Sequence, residues 1–137
     1  MSENTLQILT DAIRNRRCCA IRYREQSQLR IVEPHAIYRD DRRGEILVDC
    51  YQIRGYSSAN RLPPFWRPFR LGKITAVAPL RDTFAPRTNE GFDSCRARYR
   101  KGLICIVSDR GLPFVYPFEQ QAAEPVGPML PQRRIRR

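Results

Sequence analysis

The chain has 137 residues, enough for one domain with its own core, and it is 42% hydrophobic and 28% charged. There are 25 basic residues against 14 acidic, a net charge of +11, and all the basic ones are arginine except Lys73 and Lys101. No apolar run reaches the roughly 18 residues of a membrane span, the N-terminus has no signal-peptide pattern, and five cysteines without a C-x-x-C pair, beside one histidine, argue against a disulfide framework or a zinc site. The expectation is a cytoplasmic protein with reduced thiols, no metal and no membrane contact.

Leu6, Leu9 and Ile13, widened by Ile8 and Ala12, predict a helix over residues 4–17. Ser2 or Asn4 suits its cap, and Arg14, Arg16 and Arg17 suit its negative C-terminal end. One such helix is too little for a helix-turn-helix. The period then changes to two. Cys19, Ile21 and Tyr23 alternate with Ala20, Arg22 and Arg24, and after the turn EQSQ a second strand carries Leu29, Ile31 and Glu33 against Arg30 and Val32. Pro34 ends or bends that strand, residues 35–39 continue extended, and DDRRG (40–44) reads as a turn. Residues 45–54 are the most strand-like, with Ile46, Val48 and Cys50 on one face. Residues 55–65 form a polar loop closed by two prolines, and 66–70 and 74–80 are two more short strands. One helix and about five short strands predict a mainly β fold, a small barrel or rolled sheet. Beyond Phe84, APRTNEGFDS reads as a linker, residues 95–102 as a short basic helix, and 103–108 as a strand pairing with the barrel edge. Residues 109–137 hold five of the eleven prolines, end in RRIRR, and read as a poorly ordered tail.

No catalytic arrangement is visible: there is no G-x-S-x-G, no phosphate-binding glycine loop and no H-E-x-x-H. Asp40–Asp41 reads as turn chemistry, His35 as a solvent-facing or structurally bonded ring, and Cys19 as a buried strand residue. No catalytic residue, metal ligand or cofactor is assigned, and an enzyme is not expected. The basic residues say more. Residues 19–80 contain ten arginines and one lysine against six acids, a net +5. Arg22, Arg24, Arg30, Arg67, Arg70 and Lys73 are interleaved with Tyr23, Tyr51, Trp66 and Phe69. Fixed cations alternating with rings can hold phosphates and stack bases; the same pattern also suits a solvated face whose arginines pair with Glu25, Glu33, Glu45 and Asp49. In WRPFR, alternation sends Arg67 and Phe69 one way, toward the interior rim, and Trp66 and Arg70 the other, toward the open side.

The order helix, AIRYREQSQLRIVEPHAI, GEILVDCYQIRG, WRPFRLGKITAV resembles the WYL domain. The matching positions are Tyr23, Arg30, Pro34, Gly44–Tyr51, Arg67, Phe69, Arg70 and Lys73–Ile74, within residues 5–87. Glu45 and Ile46 stand where the family has its tryptophan and tyrosine, leaving Leu47, and Lys73 stands where it has arginine. The family usually places a winged helix-turn-helix before such a domain, and none is expected within these 137 residues. The resemblance implies a domain over 1–87 with a small Sm-like, SH3-type five-stranded β-barrel at 19–80, an N-terminal helix and a C-terminal extension. It implies a basic groove that binds single-stranded DNA or RNA or a nucleotide-like effector, in transcription control, DNA-damage response or CRISPR settings. The groove residues would be Tyr23, Arg30, Tyr51, Trp66, Arg67, Arg70 and Lys73. The alternative is an interaction module docking on a regulator protein. The oligomeric state, a dimer included, is left open.

Overall fold

The computed structural model describes residues 2–57 and 60–108; the tail expected over 109–137 lies outside them. Helix α1 (Ser2–Asn15) is followed by strands β1 (Arg17–Tyr23), β2 (Arg30–Arg39), β3 (Ile46–Gly55), β4 (Phe65–Arg70), β5 (Ile74–Thr83) and β6 (Leu103–Ile106). Three short 3-10 turns complete it, at Leu71–Lys73, Thr88–Glu90 and Ala97–Tyr99; the last is all that forms of the basic helix expected at 95–102. No described helix is long and apolar enough to cross a membrane.

The helix buries Leu9, Ala12 and Ile13, the stripe that its 3.6-residue period supplies. It stops two residues early because Arg16 turns left-handed at φ 54° and Arg17 already begins β1. The sheet is antiparallel, in the order β4-β3-β2-β1-β5. β2 is its axis. β3 runs along one side, while on the other β1 pairs with Arg30–Val32 and β6 with Ala36–Tyr38. Between those halves the register slips at Pro34/Ala36, leaving His35 as an extra residue. A one-residue slip sends every later side chain to the opposite face. Ile37 therefore joins Val32 and Val48 on the core face, and Tyr38 joins Glu33 on the other.

The expected five-stranded barrel is corrected here: the sheet has six strands and stays open. The turn Leu71–Lys73 carries the chain from one edge strand, β4, to the other, β5, but among the described residues β4 pairs only with β3, and β5 only with β1. At the seam a side chain stands where a strand would be, since the Arg70 amide donates to the Tyr23 hydroxyl at 3.0 Å. Both edge strands also contain a proline, Pro68 and Pro79, which cannot donate to a further ladder. Gly55, at φ 104°, ends β3 where a Cβ would lie 2.3 Å from the Leu29 carbonyl oxygen. That position admits only glycine, and it holds Arg30 in register opposite it.

Candidate anion-binding site

Strand alternation distributes the seven expected groove residues over two faces. β3 sends Val48, Cys50 and Gln52 to the core face and Asp49 and Tyr51 to the other; β4 sends Phe65, Arg67 and Phe69 to the core face and Trp66 and Arg70 to the other. Tyr23, Arg30 and Arg67 therefore come together. Tyr51 and Trp66 pair with each other on the opposite face, 5.0 Å between ring centroids. Arg70 lies on that second face, and Lys73 is exposed on the 3-10 turn.

Arg30 is only 1% exposed. Two neutral amides hold it: Nη1 donates to Gln52 Oε1 at 3.3 Å and Nη2 to Gln26 Oε1 at 3.0 Å. Gln52 is fixed in turn because its Nε2 donates to the Tyr56 carbonyl at 2.8 Å. The Arg30 guanidinium lies 5.7, 5.4 and 5.4 Å from the ring centroids of Tyr23, Tyr56 and Phe69. Arg67, half-buried, lies 5.4 and 5.1 Å from Tyr23 and Phe69. Two guanidiniums thus share one set of rings. The Nε of each is buried without a hydrogen-bond partner, and neither forms an ion pair among the described residues. Burial, and then the positive charge of Arg67, lower the Arg30 pKa, yet a guanidinium stays protonated at any ordinary pH. Cation–π contact offsets part of this cost, at about 0.5–2 kcal/mol per contact.

On the second face every buried charge is met. Glu33 accepts from Arg87 through both oxygens, at 2.8 and 2.9 Å. Asp49 accepts from the Tyr38 hydroxyl at 3.1 Å, Arg98 Nε at 3.0 Å and the Tyr99 hydroxyl at 2.6 Å. His35 is fully buried: the Arg87 amide donates to Nε2 at 3.1 Å, so Nδ1 carries the proton and donates to the Glu33 carbonyl at 2.9 Å. Burial pushes its pKa down to about 4, so the ring is neutral. The segment after β5, expected as a linker, is a packed cover: Phe84, Phe92 and Tyr99 are buried, and Phe92 stacks on Trp66 at 6.1 Å. Trp66 Nε1 donates to the Glu90 carbonyl at 2.7 Å. Tyr51 is therefore a covered ring, while Trp66 is half-buried and borders a depression with Phe92, Arg96, Arg98 and Tyr99, apart from the one that Arg70 lines.

Arg70 meets Glu45 at 3.6 Å, with both side chains 39% exposed. With Arg39, Ile46 and Lys73 it lines a shallow depression of about 340 Å³. The vicinal thiols are inert: burial raises Cys18 to about 11 and Cys19 to about 12. No group of three His, Cys, Asp or Glu side chains among the described residues is placed to hold a metal.

Sequence reasoning missed Gln26, Gln52 and Tyr56. Gln52 had a signal, because it falls on the same strand face as Val48 and Cys50, and a polar side chain on a core face needs a partner there. Nothing local marked Tyr56.

The WYL domain family matches residues 4–79. Among solved structures, proteasome accessory factor B/C (PafBC) of Arthrobacter aurescens superposes with a TM-score of 0.51 at 21% identity, over 67% of this chain and 13% of that one. Comparison with curated proteins finds no match. The match at residues 4–79 takes in α1, β1 to β4 and most of β5, and with them Tyr23, Arg30 and Arg67; the chain belongs to the WYL domain family.

Proposed function

We propose that this chain is a non-enzymatic regulatory module that binds single-stranded nucleic acid or a nucleotide-type anion at Arg30 and Arg67. One observation carries the reading. Two arginines share one aromatic enclosure with no carboxylate partner among the described residues, and each has an unpaired Nε. Buried cations in folded proteins are paired as a rule, so a recessed arginine held by neutral amides beside a second arginine suits an anionic ligand. The arginine fork matches phosphate oxygens, and Tyr56, half-buried beside Arg30, offers a ring edge or face to an attached base. Arg70 and Lys73, at a different place on the surface, contribute to the positive field that draws a polyanion in. Tyr51 and Trp66 have no part in it.

Titration with short single-stranded DNA tests this. Micromolar binding should weaken as salt rises, with a log–log slope of about 0.7 per phosphate contacted. No binding at low salt would overturn the proposal. It would favour the second reading, docking on a partner regulator, for which the support is Leu103 and Ile104, 43% and 42% exposed on β6.

A further inference from the structure

If Arg30 and Arg67 bind an anion, the depth of the site narrows which anion it is. We infer that the site selects a terminal phosphate monoester, on the end of a nucleic acid strand or on a mononucleotide, over an internal phosphodiester. This inference rests on the reading above.

Three observations support it. The first is depth. Arg30 is 1% exposed, whereas Arg67 is only half-buried, so Arg30 is the recessed cation of the pair and Arg67 the outer one. An internal phosphodiester has chain on both sides, and both arms must enter or bend away for its phosphorus to reach a recessed cation. A terminal phosphate has one substituent and can enter end-on.

The second is charge. Gln26 and Gln52 hold the Arg30 guanidinium through amide oxygens, so it is positioned without being neutralised. The two guanidiniums together present two positive charges. A phosphodiester supplies one negative charge and leaves the like-charge repulsion half compensated. A monoester supplies about 1.5 to 2 at neutral pH.

The third is the donor set. Arg30 has committed one N–H of each Nη to an amide, so one N–H of each Nη and the unpaired Nε remain to it, beside the unpaired Nε of Arg67. These lie on two different side chains and call for an acceptor with oxygens pointing in several directions. A monoester offers three terminal oxygens and a diester two.

The experiment uses the full chain and one labelled oligonucleotide sequence in four forms: 5′-phosphorylated, 3′-phosphorylated, hydroxyl-ended and closed into a single-stranded circle. At least one phosphorylated end should bind about tenfold or more tightly than the hydroxyl-ended and circular forms. Arg67→Gln, its folding checked by thermal melting, should reduce that preference to under about threefold while weakening all four forms. Deoxyadenosine monophosphate, set against deoxyadenosine as competitor, separates the two sources. Displacement by the monophosphate alone assigns the site to a free nucleotide, and lack of displacement assigns it to a strand end; either supports the monoester. Equal affinity for all four forms overturns this inference and leaves the nucleic-acid reading standing. Full retention of the preference in Arg67→Gln overturns it too. Absence of binding by every form at low salt overturns the nucleic-acid reading itself.

Discussion

On the covered face of the sheet, Glu33 and Asp49 are each met by an arginine from the segment after β5; on the core face, Arg30 and Arg67 meet no carboxylate among the described residues. Both faces bury charge, but in different company. The covered face is internally balanced: carboxylates, tyrosine hydroxyls, a neutral imidazole and backbone amides satisfy one another, and the rings of Phe84, Phe92 and Tyr99 pack over them. Such a network stabilises a fold and needs no ligand. The Arg30–Arg67 pair is unbalanced: among the described residues it holds two like charges and two buried Nε donors without a partner. Arginine count does not separate the two cases, since the balanced network draws on Arg87 and Arg98 and the unbalanced pair is Arg30 and Arg67. The partners do.

The largest test breaks the balanced side. Asp49→Ala removes the shared acceptor of Tyr38, Tyr99 and Arg98. Arg98 is half-exposed and can turn to water, but the buried hydroxyls cannot, so the loss should be about 2–4 kcal/mol in denaturant melts. Oligonucleotide affinity of the folded fraction should be unchanged.

Acid tests the same face through His35. Its folded pKa is about 4 against 6.5 for an unperturbed ring. Above pH 6.5 both folded and unfolded chains hold a neutral imidazole, and nothing changes. As pH falls from 6.5 toward 4 the unfolded chain takes up the proton and the folded one does not, so stability drops by up to about 3 kcal/mol across that window. Melts of His35→Gln should lose this slope, whatever their absolute stability; an unchanged slope would place the effect on other groups.

Arg67→Ala sharpens the unbalanced side. A rim arginine would ordinarily hold bonded partners, and its removal would cost stability. Here the Nε has no partner to orphan and the neighbour is another cation. Folding should stay within about 1 kcal/mol of wild type, and nucleic-acid binding should weaken by about 1–3 kcal/mol. A large stability loss with unchanged binding would make this face structural as well.

The smallest effect belongs to Arg70→Ala. The 3.6 Å contact to Glu45 is solvent-exposed, so stability should change by under about 1 kcal/mol. Binding should fall only as much as one distant positive charge allows, an effect that added salt removes.

Much of this protein was legible without coordinates. The Leu9–Ile13 stripe, the period-two runs at 19–24 and 45–54, and the turn at 40–44 follow from local periodicity and turn chemistry. So does the sharing of one face by Arg67 and Phe69, because alternation along a strand is a property of the backbone. Three things were not local. The bulge at His35 reverses the faces along β2 and depends on how β2 meets β3. The open seam, where the Arg70 amide meets the Tyr23 hydroxyl 47 residues away, depends on how the two edge strands are placed. The fate of Trp66 depends on Phe92 and Glu90 folding back from a segment that reads as a linker, since its glycine, proline and polar residues hide the spacing of Phe84, Phe92 and Tyr99. By itself the sequence determined which residues are cationic, which are aromatic and how they alternate. Only the tertiary structure decided which cations a carboxylate meets, because that pairing links β2 and β3 to residues about 50 positions further along the chain.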